Sequence, residues 1–351
     1  MTDLNRWQAE KAWEWYRRMP WLCGFNYIPG TAINTTEMWQ ADTFDPETIN
    51  RELNWAAQAG FNTCRVFVQY LVWDDNPDGM LQRMDQFLQI AGRHGISTMF
   101  TLFDDCAFAG KQPYLGKQDG PVPSVHNSGW TPSPGHDRAV DQTAWPRLEA
   151  YVHSVISRFA HDDRVIAWDL FNEPGNSDMG NKSLALLVDS FRWARAAEPD
   201  QPLTVGVWRQ DTPEFNTIML ENSDVISFHY YGKLETLTTM VEGLKAHGYP
   251  LICTEWMART LGSRWETDLP YLKQERMGCY SWGLVSGRTQ TCFPWGTPQG
   301  APEPPVWFHD LFYPDGRVYR AEEIEVIKVM TGVDNAVHQG DEQSASIMYK
   351  M

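Results

Sequence analysis

The chain has few basic residues and no long apolar run, and both shortages narrow its class. None of its apolar stretches approaches the roughly 20 residues that a membrane span needs. Its 29 lysines and arginines are outnumbered by 45 aspartates and glutamates, and the resulting net charge of −16 opposes binding to a phosphate backbone. The first residues lack the basic-then-apolar pattern of a signal peptide. We therefore expect no nucleic-acid partner, no membrane partner, and a cytoplasmic location unless a leader was removed.

Motifs for metals, redox chemistry and nucleotides are missing as well. The six cysteines form no C-x-x-C pair, and no H-x-H or H-E-x-x-H pattern occurs. No glycine-rich fingerprint follows the first predicted strand, which argues against a dinucleotide. We expect no cofactor and no metal. Whether the loop residues Cys106 or Cys292 form a disulfide is an open question. The four cysteines in predicted strands are expected to be buried free thiols: Cys23, Cys64, Cys253 and Cys279.

Short apolar runs rich in β-branched residues alternate with helical patterns along the chain. Eight of these runs resemble buried parallel strands, which are apolar almost throughout, and each is followed by a stretch with helical spacing. This alternation predicts an α/β protein, a single-domain (β/α)8 TIM barrel over 1–333, with a polar tail over 334–351. The predicted strands are 21–27, 62–69, 96–103, 165–172, 202–208, 224–230, 250–256 and 278–284. The predicted helices are 46–59, 79–94, 141–160, 181–197, 213–221, 233–247, 266–276 and 320–331.

Two long loops interrupt the alternation. One spans 104–140 after the third strand, and the other spans 285–305 after the eighth. Loops of this length in a compact domain usually form lids or binding walls. Both follow the carboxyl ends of strands, where barrels carry their active sites. We therefore expect the two loops to fold over that face and narrow it.

Polar side chains are concentrated where the predicted strands end. Glu173 follows the fourth strand and Glu255 lies near the end of the seventh, far apart in the sequence. A polar group inside an apolar strand requires a partner, so this concentration predicts a site at the mouth of the barrel. Further candidates for substrate contact lie at the strand ends or in the two loops: Arg65, Asp104, Asp105, Asn172, Trp208, Arg209, His229, Tyr231, Trp282, Arg288 and Trp295.

The two glutamates supply what cleavage of a glycosidic bond requires. One protonated carboxyl donates to the leaving oxygen, and one carboxylate acts at the anomeric carbon. Arg65 beside one glutamate would favour its ionised form, and Tyr231 could orient it. Asn172 could donate to a sugar hydroxyl. The 17 tryptophans, 13 tyrosines and 16 phenylalanines include many loop residues, and such rings stack on sugar faces.

These residues resemble a known family. The segments Asn172-Glu173-Pro174 and Thr254-Glu255 are similar to those of the retaining β-glycosidases built on (β/α)8 barrels. His229-x-Tyr231, Trp282 and Arg65 look most like glycoside hydrolase family 5, the cellulase and mannanase family. The resemblance spans roughly residues 20–330 and implies that Glu173 is the acid/base and Glu255 the nucleophile.

The resemblance has one departure and leaves alternatives open. The family usually carries a histidine at the end of the third strand, where this chain has Phe103-Asp104-Asp105. A non-catalytic sugar-binding barrel would keep the aromatic residues, and a metal-dependent barrel hydrolase or isomerase would carry ligand clusters at the mouth. Arg209, Arg259 and Arg288 could recognise a uronic acid or form salt bridges to nearby acids. The expected function is retaining, exo-acting hydrolysis of a β-linked glycoside or oligosaccharide.

Overall fold

Eight parallel strands form one sheet that curves into a barrel. The computed structural model describes residues 5–209 and 211–333, so the predicted tail over 334–351 lies outside the described residues. The strands are β1 (Cys23–Tyr27), β2 (Thr63–Phe67), β3 (Ser97–Asp104), β4 (Val165–Asn172), β5 (Leu203–Thr204), β6 (Ile226–His229), β7 (Leu251–Trp256) and β8 (Gly278–Ser281). Their order in the sheet is β5-β4-β3-β2-β1-β8-β7-β6.

The barrel closes between β5 and β6 through isolated backbone contacts. Asp224 N donates to Leu203 O at 2.8 Å, and Val207 N donates to Ser227 O at 2.9 Å. Val207 also forms a single parallel bridge with Phe228. The prediction of a TIM barrel is therefore confirmed, but strand 5 is two residues long, much shorter than predicted over 202–208.

Helices cover the outside of the barrel, and the structure confirms all eight predicted ones with small shifts at their ends. The helix predicted over 46–59 has those bounds, because Asp45 caps Thr48 N at its start and Gly60 adopts a left-handed backbone at its end. The α-helices are α1 (Ala9–Arg18), α2 (Thr35–Trp39), α3 (Pro46–Ala59), α4 (Tyr70–Asp75), α5 (Pro77–Arg93), α6 (His136–Val140), α7 (Trp145–Phe159), α8 (Leu184–Ala196), α9 (Pro213–Asn222), α10 (Leu234–Lys245), α11 (Trp265–Gln274) and α12 (Ala321–Thr331).

Helix α1 was not predicted, and it closes the amino-terminal end of the barrel. Its Tyr16 packs among apolar barrel residues, and the phenol oxygen accepts from Gly278 N at 2.6 Å and donates to Arg276 O at 2.6 Å. Ala12 and Tyr16 are its buried residues, four positions apart on one helix face. The end of the barrel opposite the site is therefore apolar and covered.

Two further predictions can be compared with the structure. All six cysteines are free, and the four strand cysteines are buried, as predicted. The open question of a loop disulfide is thereby answered, because Cys106 and Cys292 are unpaired. Among the helices of the described residues, none combines the length and the apolar character needed to cross a membrane.

Candidate active site

Strand register brings the polar residues together at one end of the barrel. Asp104 on β3 lies beside Asn172 on β4, and His229 on β6 lies beside Glu255 on β7. Glu173 follows β4 directly and has a φ of 43°, a left-handed backbone that is costly for a non-glycine residue. This turn carries the side chain of Glu173 out of the sheet and over the mouth.

The two glutamates meet beside one histidine. His229 Nδ1 lies 2.8 Å from Glu173 Oε1 and 3.5 Å from Glu255 Oε2. One carboxylate oxygen of each glutamate and one ring nitrogen of His229 all lie within 4.8 Å of one another. Side chains from strand ends 82 residues apart in the chain therefore share one small volume.

The carboxylate of Glu255 accepts hydrogen bonds from two strong donors. Arg65 Nη1 donates to Oε1 at 2.8 Å, and the Tyr231 hydroxyl donates to Oε2 at 2.7 Å. Burial raises the pKa of Glu255, while His229, Arg65 and the Tyr231 hydroxyl act against that rise. Glu255 is thus a buried carboxylate with a charged partner in direct contact.

Arg65 is fully buried below the mouth, and its guanidinium is held by several hydrogen bonds. Its guanidinium donates to Asp169 Oδ2 at 2.8 Å, Asn26 Oδ1 at 2.8 Å and Asn172 Oδ1 at 2.7 Å, in addition to Glu255. Two carboxylates therefore balance one buried cation. These bonds fix the orientation of the planar guanidinium, so that Nη1 points at the carboxylate of Glu255.

Asn172 and Asp104 extend this network towards the first long loop. Because Asn172 Oδ1 accepts from Arg65, its amide nitrogen is oriented to donate to Asp104 Oδ1 at 2.9 Å. Asp104 Oδ2 in turn accepts from Trp130 Nε1 at 2.7 Å, and burial raises the pKa of Asp104 to about 6. Asp104 therefore positions Asn172 and Trp130, and it does not itself line the cavity.

Glu173 is surrounded by weaker, uncharged donors. Asn176 Nδ2 donates to its Oε2, and Cys106 Sγ lies 3.4 Å from the same oxygen. Burial raises the pKa of Glu173, and these two hydrogen bonds act in the opposite direction. Burial also lowers the pKa of His229 to about 4, so its ring is neutral near pH 7. Glu173 thus lacks a charged partner in direct contact.

Three of the predicted substrate-binding residues have protein partners instead of facing the pair. Asp105 is buried and accepts from Gly175 N at 2.7 Å and from Ser183 Oγ, which fixes the loop after Glu173. Arg288 forms an ion pair with Glu37, away from the cavity. Arg209 lies at the cavity edge, exposed and paired with Asp211.

The cavity above the two glutamates has a volume of about 710 Å³, within the ~300–1,000 Å³ typical of small-ligand pockets. Predicted residues that line it include Trp208, His229, Tyr231, Trp282 and Trp295.

Several residues around the two glutamates were not predicted from the sequence. Asn26 and Asp169 could have been found, because each is a polar residue inside an apolar strand. Others come from loops and gave no such signal: Cys106, Phe108, His126, Asn176 and His309.

The two long loops meet beside this cavity. His126 Nδ1 lies 2.8 Å from Phe293 O, Asn127 N donates to Thr289 O at 2.7 Å, and Ser124 N donates to the Gln290 side chain at 2.8 Å. Residues 106–109, 125–127 and 295–297 contribute to the lining. The loops therefore form one continuous wall over the carboxyl-terminal face.

Glu173, His229 and Glu255 could also be considered as metal ligands because their donor atoms converge. The guanidinium of Arg65 already contacts Glu255 at 2.8 Å, and a second cation there would be repelled. The donor set fits a pair of carboxylates that share protons better than it fits a resident metal.

A closed parallel barrel with two converging glutamates at its carboxyl-terminal mouth defines a class of glycoside hydrolases. Residues 26–287 match the family model Cellulase (glycosyl hydrolase family 5). The chain belongs to glycosyl hydrolase family 5 and is a retaining β-glycoside hydrolase. Comparison with curated protein sequences finds no significant match.

Solved structures share the fold of this chain. They include GH5_18 from Streptomyces cattleya in complex with GlcNAc, at 14% identity and a TM-score of 0.58 over 88% of this chain and 80% of that one. The exo-β-1,4-mannosidase from Opitutaceae bacterium strain TAV5 has 19% identity and a TM-score of 0.59, with 88% and 59% covered. The endo-β-1,4-mannanase from Thermotoga petrophila has 14% identity and a TM-score of 0.57, with 89% and 76% covered. At these sequence identities, the similarity to this chain is a similarity of fold.

Proposed function

We propose that the enzyme removes a terminal β-linked sugar by double displacement, with Glu255 as nucleophile and Glu173 as general acid/base. The observation that carries the proposal is the convergence of the two carboxyl groups beside His229, since one oxygen of each and one ring nitrogen all lie within 4.8 Å of one another. Retaining enzymes hold their two carboxyl groups about 5–5.5 Å apart, whereas inverting enzymes leave about 6.5–9.5 Å for a water molecule.

The different surroundings of the two glutamates support this division of roles. Glu255 contacts the Arg65 guanidinium at 2.8 Å, and an adjacent cation favours the ionised form that a nucleophile needs. Glu173 is partly buried and contacts uncharged groups only, which favours the protonated form that an acid needs. The pair titrates as a unit, and the guanidinium beside Glu255 favours the form in which Glu255 is ionised and Glu173 holds the proton.

The reaction then follows in two steps. Glu255 bonds to the anomeric carbon while the bond to the leaving oxygen breaks and Glu173 gives that oxygen its proton. Glu173 next takes a proton from water, whose oxygen attacks the anomeric carbon and releases Glu255. Arg65 and Tyr231 hold Glu255 in place in both steps, and Trp282 offers an aromatic surface to the sugar.

The wall formed by the joined loops supports exo action. A polymer that crosses the barrel mouth needs an open cleft at both ends, whereas loop segments 125–127 and 295–297 both line the cavity. The two loops are joined by backbone bonds from Asn127 N to Thr289 O and from Gly300 N to Pro123 O. The pocket therefore fits the end of a chain better than its middle.

The first substrates to test are β-mannosides. The proteins of similar fold include an exo-β-1,4-mannosidase, an endo-β-1,4-mannanase and an enzyme in complex with Manb1-4GlcNAc. These substrates are those of the other proteins, which share the fold of this chain.

Product analysis on a β-1,4-mannohexaose tests the proposal. We expect monosaccharide and the pentasaccharide at early times, since one sugar is released from an end. Proton NMR of the first product should show the β-anomer, as double displacement retains configuration. A ladder of mid-length fragments at early times would contradict exo action, and an initial α-anomer would contradict the two-step mechanism.

A further inference from the structure

One wall of the cavity is made of aromatic rings and two histidines. The ring of His309 lies 5.6 Å from that of Tyr231 and 5.3 Å from that of His126, measured between centroids. The ring of Trp295 lies 5.3 Å from that of Tyr231. Because Tyr231 donates to Glu255, this wall stands on the Glu255 side of the pair. In the proposed mechanism, that side faces the sugar that becomes bound to the enzyme.

The tautomer of His126 is fixed by its partners. Nδ1 lies 2.8 Å from Phe293 O, and a carbonyl oxygen only accepts, so Nδ1 carries the proton. Nε2 is then an acceptor, and Trp295 Nε1 donates to it at 3.3 Å. Both nitrogens of His126 are used within the protein, and the ring holds Trp295 in the wall.

His309 has the same tautomer but one free acceptor. Its Nδ1 lies 2.6 Å from Met257 O, so the ring proton is on Nδ1 and Nε2 carries a lone pair. Nε2 has no hydrogen-bond partner among the described residues, and because His309 lines the cavity, this atom opens into the cavity and is not enclosed by the protein. Burial and the neighbouring His126 lower the pKa of His309 well below its usual value, so the ring stays neutral.

We infer that His309 is a specificity-determining residue whose Nε2 accepts a hydrogen bond from a hydroxyl group of a neutral sugar on the Glu255 side of the pair. The inference rests on the proposed function. An acceptor that opens into the cavity and has no protein partner is available to a hydroxyl group of a bound ligand. A site that hydrogen-bonds a hydroxyl discriminates strongly against an analogue that lacks it.

The same feature argues against a uronic acid. The lone pair of His309 would face a carboxylate unfavourably, and no unpaired cation compensates among the described residues that line the cavity. Arg209 is paired with Asp211 at the edge, and Arg259 and Arg288 are paired with glutamates away from it. The arginine pattern in the sequence is thus explained by salt bridges.

The test combines His309→Phe with a set of aryl β-mannosides that each lack one hydroxyl. The wild-type enzyme should lose about tenfold in kcat/KM on one deoxy substrate, the value of one neutral hydrogen bond. His309→Phe should lose about tenfold on the full substrate and should lose nothing further on that deoxy substrate. Equal losses on every deoxy substrate in both proteins would overturn the role of His309.

Controls separate this inference from the proposed function and from misfolding. If wild type turns over no aryl β-glycoside, the proposed function fails; if it is active but His309→Phe has the wild-type profile, the inference alone fails. His247→Phe, at an exposed histidine, is the matched control. If His309→Phe does not fold, the wild-type enzyme is assayed on an aryl β-mannuronide and on the matching aryl β-mannoside. Equal kcat/KM on the two substrates overturns the inference. A kcat/KM at least tenfold lower on the mannuronide supports it.

Discussion

Glu173 and Glu255 have the same side chain, and their neighbours give them different chemistry. Glu255 contacts a buried guanidinium and a phenol, whereas Glu173 contacts an amide, a thiol and the neutral ring of His229. Removal from solvent raises the pKa of both carboxyls, and the Arg65 guanidinium in contact with Glu255 favours the ionised form of that glutamate.

The roles of the two glutamates can be separated by substitution. Glu255→Ala should abolish turnover of every substrate. Glu173→Ala should lower turnover of poor leaving groups by about 10²–10⁴-fold and spare activated aryl glycosides, because only poor leaving groups need protonation. Added azide should restore activity to Glu173→Ala and give a β-glycosyl azide, identified by NMR. An α-glycosyl azide from this variant would reverse the assignment.

Cys106 is predicted to modulate the acid/base through its thiol. Two amide groups, of Asn172 and Asn176, donate to its sulfur at 3.4 and 3.3 Å, so the thiol proton is free to point at Glu173. That donation lowers the pKa of Glu173. Cys106→Ala should therefore move the basic limb of the pH profile of kcat/KM to higher pH, while Cys106→Ser keeps the wild-type limb. Identical limbs in all three proteins would rule out this effect.

At the level of elements, Gln290 joins the two long loops. Its side chain accepts from Ser124 N at 2.8 Å and donates to Val122 O at 2.8 Å and Val125 O at 3.3 Å. A single side chain therefore satisfies three backbone groups of the opposite loop. The wall of the cavity depends on this junction.

Gln290→Ala should loosen the wall. Leaving these backbone groups unpaired costs about 1–3 kcal/mol locally. We expect KM to rise more than kcat falls, and limited proteolysis within 104–140 to become faster. Gln89→Ala on the outer face of α5 is the control, since Gln89 is exposed and its side chain donates a hydrogen bond to Asp85 in the same helix. Equal proteolysis of both variants and of wild type would show that the loops hold together without Gln290.

At the level of the whole molecule, buried carboxyl groups with raised pKa values should govern stability. Burial raises the pKa of Asp105, Asp310 and Glu52 to about 7, and that of Asp104 to about 6. Unfolded carboxyls lose their protons near pH 4. Between about pH 4 and the raised pKa values, the folded state binds more protons than the unfolded state. The free energy of unfolding therefore falls as the pH rises through this range.

The thermal midpoint should accordingly be lower at pH 8 than at pH 5.5. Each such carboxyl lowers the free energy of unfolding by about 1.4 kcal/mol per pH unit until the pH exceeds its pKa in the folded state. Differential scanning calorimetry measures the effect. Asp105→Asn imitates the protonated carboxyl that accepts from Gly175 and Ser183, and its midpoint should depend less on pH. A midpoint that rises from pH 5.5 to pH 8 would contradict the prediction.

The sequence by itself determined the fold and the identity of the catalytic candidates. Eight apolar runs with helices between them leave few ways to bury so much surface, and the two glutamates end strands that must share one face of a barrel. The cytoplasmic location and the bounds of the domain and tail stay predictions. Strand 5 was predicted too long, because a run of apolar residues does not fix where its hydrogen-bonded ladder stops.

Only the tertiary structure decided which partner each polar group has. Asp105 and Arg288 looked like substrate contacts but are bound to Ser183 and Glu37. Cys106 and His309 gave no signal in the sequence and lie in the cavity wall. The physical reason is that periodicity records which face of an element is buried, whereas hydrogen bonds between loops depend on distances that arise only after the barrel has closed.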